Sequence, residues 1–126
     1  MPADASAPRV LHLRSSCGFY GAESVIYNLV RAYTGESVAV CFEDRREPHT
    51  ELTTRLLAVG HSAETIPASG AFDPGVLVRF AGAMRRIKPD IVHSHDYKSD
   101  SVAWAVARWM GAHIVSTLHG NLQTTT

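Results

Sequence analysis

The sequence has no excess charge of either sign. Twelve Lys and Arg balance twelve Asp and Glu, so the formal net charge is zero with neutral histidines. No basic run marks a nucleic-acid footprint, which argues against that class of partner. Cysteine is scarce too. Cys17 and Cys41 have neither CxxC nor finger spacing, so both read as small reduced residues near strand ends rather than as a disulfide. No stretch approaches the ~18–20 apolar residues of a membrane span. The first eight residues contain Asp4 and no apolar h-region, so they are read as a disordered start, not a signal peptide. What is present is ordinary: 126 residues, 45% apolar and 19% charged, which fit one cytoplasmic globular domain. Seven histidines are the one excess.

Apolar runs alternate with segments of helical period. Arg9 to Leu13 reads as a buried strand with His12 on it, followed by a glycine-containing loop to Gly21. Val25, Ile26, Leu29, Val30 and Tyr33 then recur at helical spacing, with Gly35 where a C-terminal cap belongs. Ser37 to Phe42 is a second strand, Glu51 to Val59 a short helix, and His61 to Ile66 a weaker strand ended by Pro67. Asp73-Pro74 starts a helix as N-cap and first helical residue, with Leu77, Phe80, Met84 and Ile87 on its apolar face. Pro89 breaks it. A fourth strand covers Asp90 to Ser94, and a helix runs from Ser99 to Met110 with Val102, Val106, Trp109 and Met110 on one side. A fifth strand runs from His113 to Leu118.

This alternation predicts an α/β fold, a Rossmann-like parallel sheet with helices on both faces. Right-handed crossovers favour the strand order 3-2-1-4-5, with the switch point between the first and fourth strands. There the loop after strand one faces the loop after strand four.

Two clusters at that point carry candidate chemistry. Gly18-Phe19-Tyr20-Gly21-Ala22-Glu23 lies between the first strand and first helix, where free N–H groups suit an anion. It is neither GxGxxG nor a Walker loop, and a plain tight turn explains it as well. His93-Ser94-His95-Asp96 ends the fourth strand. Positions two apart share a face in an extended segment, so the two histidines could hold a metal, but no spacing supplies a third ligand. Polar capping is the plainer reading. His12 reads as a histidine bonded within the sheet.

Three segments in this order resemble family 4 glycosyltransferases. Leu13 to Ser24 is similar to that family's Gly-Gly-Ala-Glu loop, with Tyr20 in place of the second glycine. Pro89 to Asp100 is similar to its D-ϕ-ϕ-H-x-H segment (ϕ apolar), and Ser116-Thr117-Leu118-His119-Gly120 to its Thr-x-His-Gly ending. The resemblance spans about residues 9–120, with 121–126 left as a truncated or flexible tail.

The resemblance implies the N-terminal half of a GT-B enzyme, which mainly binds the acceptor. Such enzymes are retaining and need no metal or other cofactor. The donor is a nucleotide-sugar, and a C-terminal domain or partner subunit mainly holds it. By position, Gly21, Ala22 and Tyr20 would form the loop near the donor diphosphate and reacting centre. His95 would contact the transferred sugar as the catalytic residue, with His93 a buried support. Asp96, Tyr97, Lys98, Asp100, His119 and Gly120 would line the acceptor side. His95→Ala would then lower kcat far more than stability. A cytoplasmic location is implied, with peripheral association at the inner membrane face left open. The alternative is a non-catalytic Rossmann-like module that binds a sugar or nucleotide, or one subunit of a two-chain transferase.

Overall fold

A computed structural model of the chain describes residues 3–46, 49–69 and 73–117. Among these, β1 (Val10–Arg14), β2 (Ser37–Asp44), β3 (Ser62–Ala68), β4 (Ile91–Ser94) and β5 (His113–Ser116) form one parallel sheet in the order β3-β2-β1-β4-β5. The helices α1 (Gly21–Ala32), α2 (Glu51–Ala58), α3 (Pro74–Ile87) and α4 (Tyr97–Val106) alternate with the strands. The fold class and strand order agree with the sequence reading.

The period-2 alternation of the strands sorts the core into two layers. Leu11, Leu13, Val38, Val40, Phe42 and Val92 meet Val76, Phe80, Ala83 and Met84 of α3 and Val102 and Ala103 of α4. On the other face Ala39 and Cys41 meet Ile26 and Val30 of α1 and Leu52 and Leu56 of α2. His12 pairs in register with Ala39 and with His93, so these residues project from that second face. The crossover order therefore leaves β1 and β4 adjacent, with their C-terminal ends at the point where successive helices part.

Several boundaries differ from expectation, each for a local reason. β2 runs on to Asp44 and β3 includes Pro67, opposite Glu43. β3 is an edge strand here, and a proline lacking its N–H is tolerated there. The last helix begins at Tyr97, not Ser99, because Asp96 caps it: its carboxylate accepts the Ser99 N–H at 2.7 Å, and Ser99 Oγ accepts the Asp96 N–H at 3.2 Å. That reciprocal arrangement is a capping box. At its far end α4 tightens into a 3-10 turn (Ala107–Met110), which turns Trp109 outward, 76% exposed, and breaks the expected apolar stripe.

Val25, Leu29 and Leu77 also lie more than a third exposed, at the margins of their helices. Gly35 is not a helix cap but pairs with Asp4 in an isolated bridge. Within the start expected to be disordered, Asp4 therefore makes one ordered pairing. Tyr33 Oη donates to the Pro8 carbonyl at 2.5 Å, tying that segment to the end of α1. The final residue of the expected fifth strand, Leu118, lies outside the described residues.

Candidate functional site

The site starts from Arg14, the last residue of β1. Its Nη1 donates to the His95 carbonyl at 3.1 Å and to Asp96 Oδ2 at 3.1 Å. Its Nη2 lies 3.4 Å from Oε2 of Glu23, which sits in the first turn of α1 and is 1% exposed. The Ser15 N–H adds a 2.9 Å bond to Asp96 Oδ2. One guanidinium thus joins the glycine loop, β1 and the turn into α4. Among the described residues, Arg14 Nε and Glu23 Oε2 are buried without a hydrogen-bond partner, so the pair depends on its charges. Neither Arg14 nor the buried state of Glu23 was anticipated. The sequence signal was available: an acid in the first helical turn, and a base closing a strand that feeds it.

Asp96 is held ionised by its neighbours. Burial pushes its carboxyl up, but the Ser15 and Ser99 N–H groups and Arg14 outweigh that and leave it below the ordinary carboxylate value. A depressed folded-state value stabilises the fold above the unfolded value near 3.9. That contribution is expected to vanish as pH falls through the folded value. Asp96→Asn keeps a capping oxygen but not the charge, so it should flatten this acid limb in urea titrations. An unchanged acid limb in Asp96→Asn would refute the assignment.

The glycine loop is open where it meets α1. Tyr20 is the N-cap but makes no capping side-chain bond, and its ring is 75% exposed. A Cβ on Gly21 would meet nothing within 4 Å. A Cβ on Gly18 would lie 2.9 Å from the Tyr20 ring, so the ring folds beside Gly18 rather than narrowing the mouth at Gly21. Ala22 is buried beneath the loop. Cys17 begins the loop and faces Cys41 of β2, both free thiols. A hydrogen bond from Cys41 lowers the Cys17 thiol to about 7, and the same pairing pushes Cys41 up.

Three histidines meet beside this network. His12 Nδ1 and His95 Nε2 are 3.0 Å apart, and the rings of His93 and His95 stack at 4.1 Å between centroids. His93 Nε2 lies 2.6 Å from Thr117 Oγ1. Burial, helped by His93, lowers His12 to about 4, so its imidazole is neutral at physiological pH. The burial of the two rings is the reverse of that expected. His95 is 0% exposed, whereas His93, expected to be the buried support, is only partly buried.

The residues expected on the acceptor side separate. Asp96 and Asp100 are structural anchors in this geometry. Asp100 Oδ1 accepts the Ser94 hydroxyl at 2.9 Å and a short bond from Ser116 Oγ, so it ties α4 to β4 and β5. Tyr97 projects into solvent, 75% exposed, and Lys98 is partly buried in the same turn. His119 and Gly120 lie outside the described residues. The arrangement brings Gly21, Ala22, His95 and Asp96 to one end of the sheet.

The family model for Glycosyltransferase Family 4 matches residues 19–125, most of the chain. The chain belongs to glycosyltransferase family 4. Comparison with curated proteins returns no match. The family 4 match takes in the open end of the loop, the α4 turn and the four strands β2 to β5. It makes the chain a glycosyltransferase module with a Rossmann-like sheet of the kind found in one half of a GT-B enzyme. Among the described residues, no helix is long and apolar enough to cross a membrane.

Proposed function

We propose that this domain is the acceptor-binding half of a retaining, metal-independent hexosyltransferase that uses a nucleotide-sugar donor. The observation that carries the reading is the junction of the open Gly21 loop with the Asp96 turn, held by Arg14 at 3.1 Å from Asp96. The uncapped N–H groups at the start of α1 suit the donor diphosphate, whose negative charge grows as the bond to the sugar breaks. Tyr97 and Lys98, in the first turn of α4 after the Asp96 cap, suit an acceptor hydroxyl. His95 is completely covered, so its contact with the sugar would require the ring to be uncovered as the cleft fills.

In this reading most of the charge on the diphosphate is met by basic residues of a second, donor-holding domain. The chain alone therefore has no appreciable turnover. Its setting is cytoplasmic, and an acceptor embedded in a membrane would bring it to the inner face. In a complete two-domain enzyme, Gly21→Ala is expected to lower kcat/KM at least tenfold, about 1.4 kcal/mol at the transition state. The added methyl meets nothing in the free protein, so the melting temperature should hold or rise. Unchanged kcat/KM would remove the loop from the reacting centre.

A further inference from the structure

The geometry points to a metal site that the sequence reading excluded: we propose that His12, His93 and His95 together bind a late first-row divalent ion, zinc foremost. The missing third ligand was His12. It sits opposite His93 in the parallel register of β1 and β4, and His95 continues the same face two residues on. One nitrogen from each ring lies within 4.8 Å of the other two. A tetrahedral ion about 2.0–2.1 Å from each nitrogen would set them about 3.4 Å apart. The 3.0 Å approach of His12 to His95 falls about 0.4 Å short of that spacing, so the two rings need only part slightly.

The ring positions agree for two of three pairs. His12 lies 5.3 Å from His93 and 5.2 Å from His95 between centroids, close to the roughly 5 Å expected for imidazoles on one tetrahedral ion. The His93–His95 stack, at 4.1 Å, must open by about 1 Å. His93, partly exposed and with Nε2 2.6 Å from Thr117 Oγ1, is the ring that would shift, and its exposed edge gives the ion its way in. A change of tautomer in whichever ring donates the 3.0 Å contact would turn both nitrogen lone pairs toward the ion.

The donor set selects the ion. Three imidazoles and no carboxylate suit zinc, copper or nickel rather than calcium or magnesium. Asp96 is excluded as a ligand because Arg14, Ser15 and Ser99 occupy its oxygens. A site with three protein ligands leaves a fourth position for water. Bound there, the ion pins β1 to β4 beside the Asp96 turn. This inference does not depend on the transferase reading, and it concerns binding rather than transfer.

The test uses the untagged, chelator-treated chain and Co²⁺ as a visible reporter, followed by displacement with Zn²⁺. One equivalent of Co²⁺ should produce the strong visible bands of a four-coordinate ion, and Zn²⁺ should abolish them and raise the melting temperature. His93→Gln, at a partly exposed position, should weaken binding at least about 100-fold, the upper range for losing even a supporting group. His113→Gln should leave it unchanged. Imidazole ¹⁵N shifts in the unaltered chain provide a check free of folding artefacts: the rings of His12, His93 and His95 should move together on adding Zn²⁺. Absence of saturable binding at millimolar ion, binding that survives His93→Gln, or shifts confined to other histidines would each overturn the proposal.

Discussion

Arg14→Met is expected to destabilise the domain by about 3–5 kcal/mol, the cost of stranding one member of a buried ion pair. Glu23 is 1% exposed and Arg14 keeps only 19% of its side-chain surface, so solvent cannot replace the lost guanidinium. Asp96 and the His95 carbonyl lose their donor in the same step. The double variant Arg14→Met/Glu23→Gln should recover a large part of the loss, since no uncompensated charge then remains. Urea denaturation of the four proteins in a double-mutant cycle measures the coupling directly. If Arg14→Met costs under about 1 kcal/mol, the network contributes little and the glycine loop and α4 turn are held by packing instead.

That network also marks how far the sequence could be read. Strand order and layer structure were legible because near-continuous apolar runs such as Val38 to Phe42 have one stable environment, a sheet covered on both sides. The helix starting at Asp73 was equally clear: the Asp73 side chain accepts the Gly75 N–H at 2.9 Å, and Pro74 takes the first position. Asp96 was harder, since a carboxylate after two histidines invites chemistry, and its capping bond to Ser99 N–H is as local as that of Asp73. Trp109 looked buried because periodicity assumes a regular helix, and the turn to a 3-10 conformation rotated it out.

The candidate site was legible in part for a different reason. Each motif was found by its position along the chain, whereas the contacts that join them cross between strands. His12 and His93 are distant in sequence but opposite in register, and only the adjacency of β1 and β4 converts three scattered histidines into one cluster. The strand order needed for that step had been predicted; the residue-by-residue register had not. Likewise Arg14 reaches Asp96 because β1 ends where α4 begins, and no spacing rule encodes that reach. Local signals gave the elements, and the sheet supplied the pairings.

His95→Ala is expected to lower stability by about 3 kcal/mol, contrary to the reading in which its main effect falls on kcat. The ring is fully buried, so its removal leaves a cavity, and large-to-small changes at such positions cost about 2–5 kcal/mol. His12 Nδ1 also loses its partner at 3.0 Å, and an unsatisfied buried polar group costs about 1–3 kcal/mol. The two contributions overlap, because water entering the cavity can take up part of the hydrogen bonding. His93→Ala should cost less than half as much, as that ring is already partly solvated. Urea unfolding of both variants settles the order, and a cost under about 1 kcal/mol for His95→Ala would refute the buried role. In a complete enzyme assayed well below each melting temperature, any fall in kcat beyond the unfolded fraction belongs to the ring itself. Such a residual loss in His95→Ala but not in His93→Ala would mean that substrate uncovers His95, and that one side chain serves the fold before binding and the sugar after it.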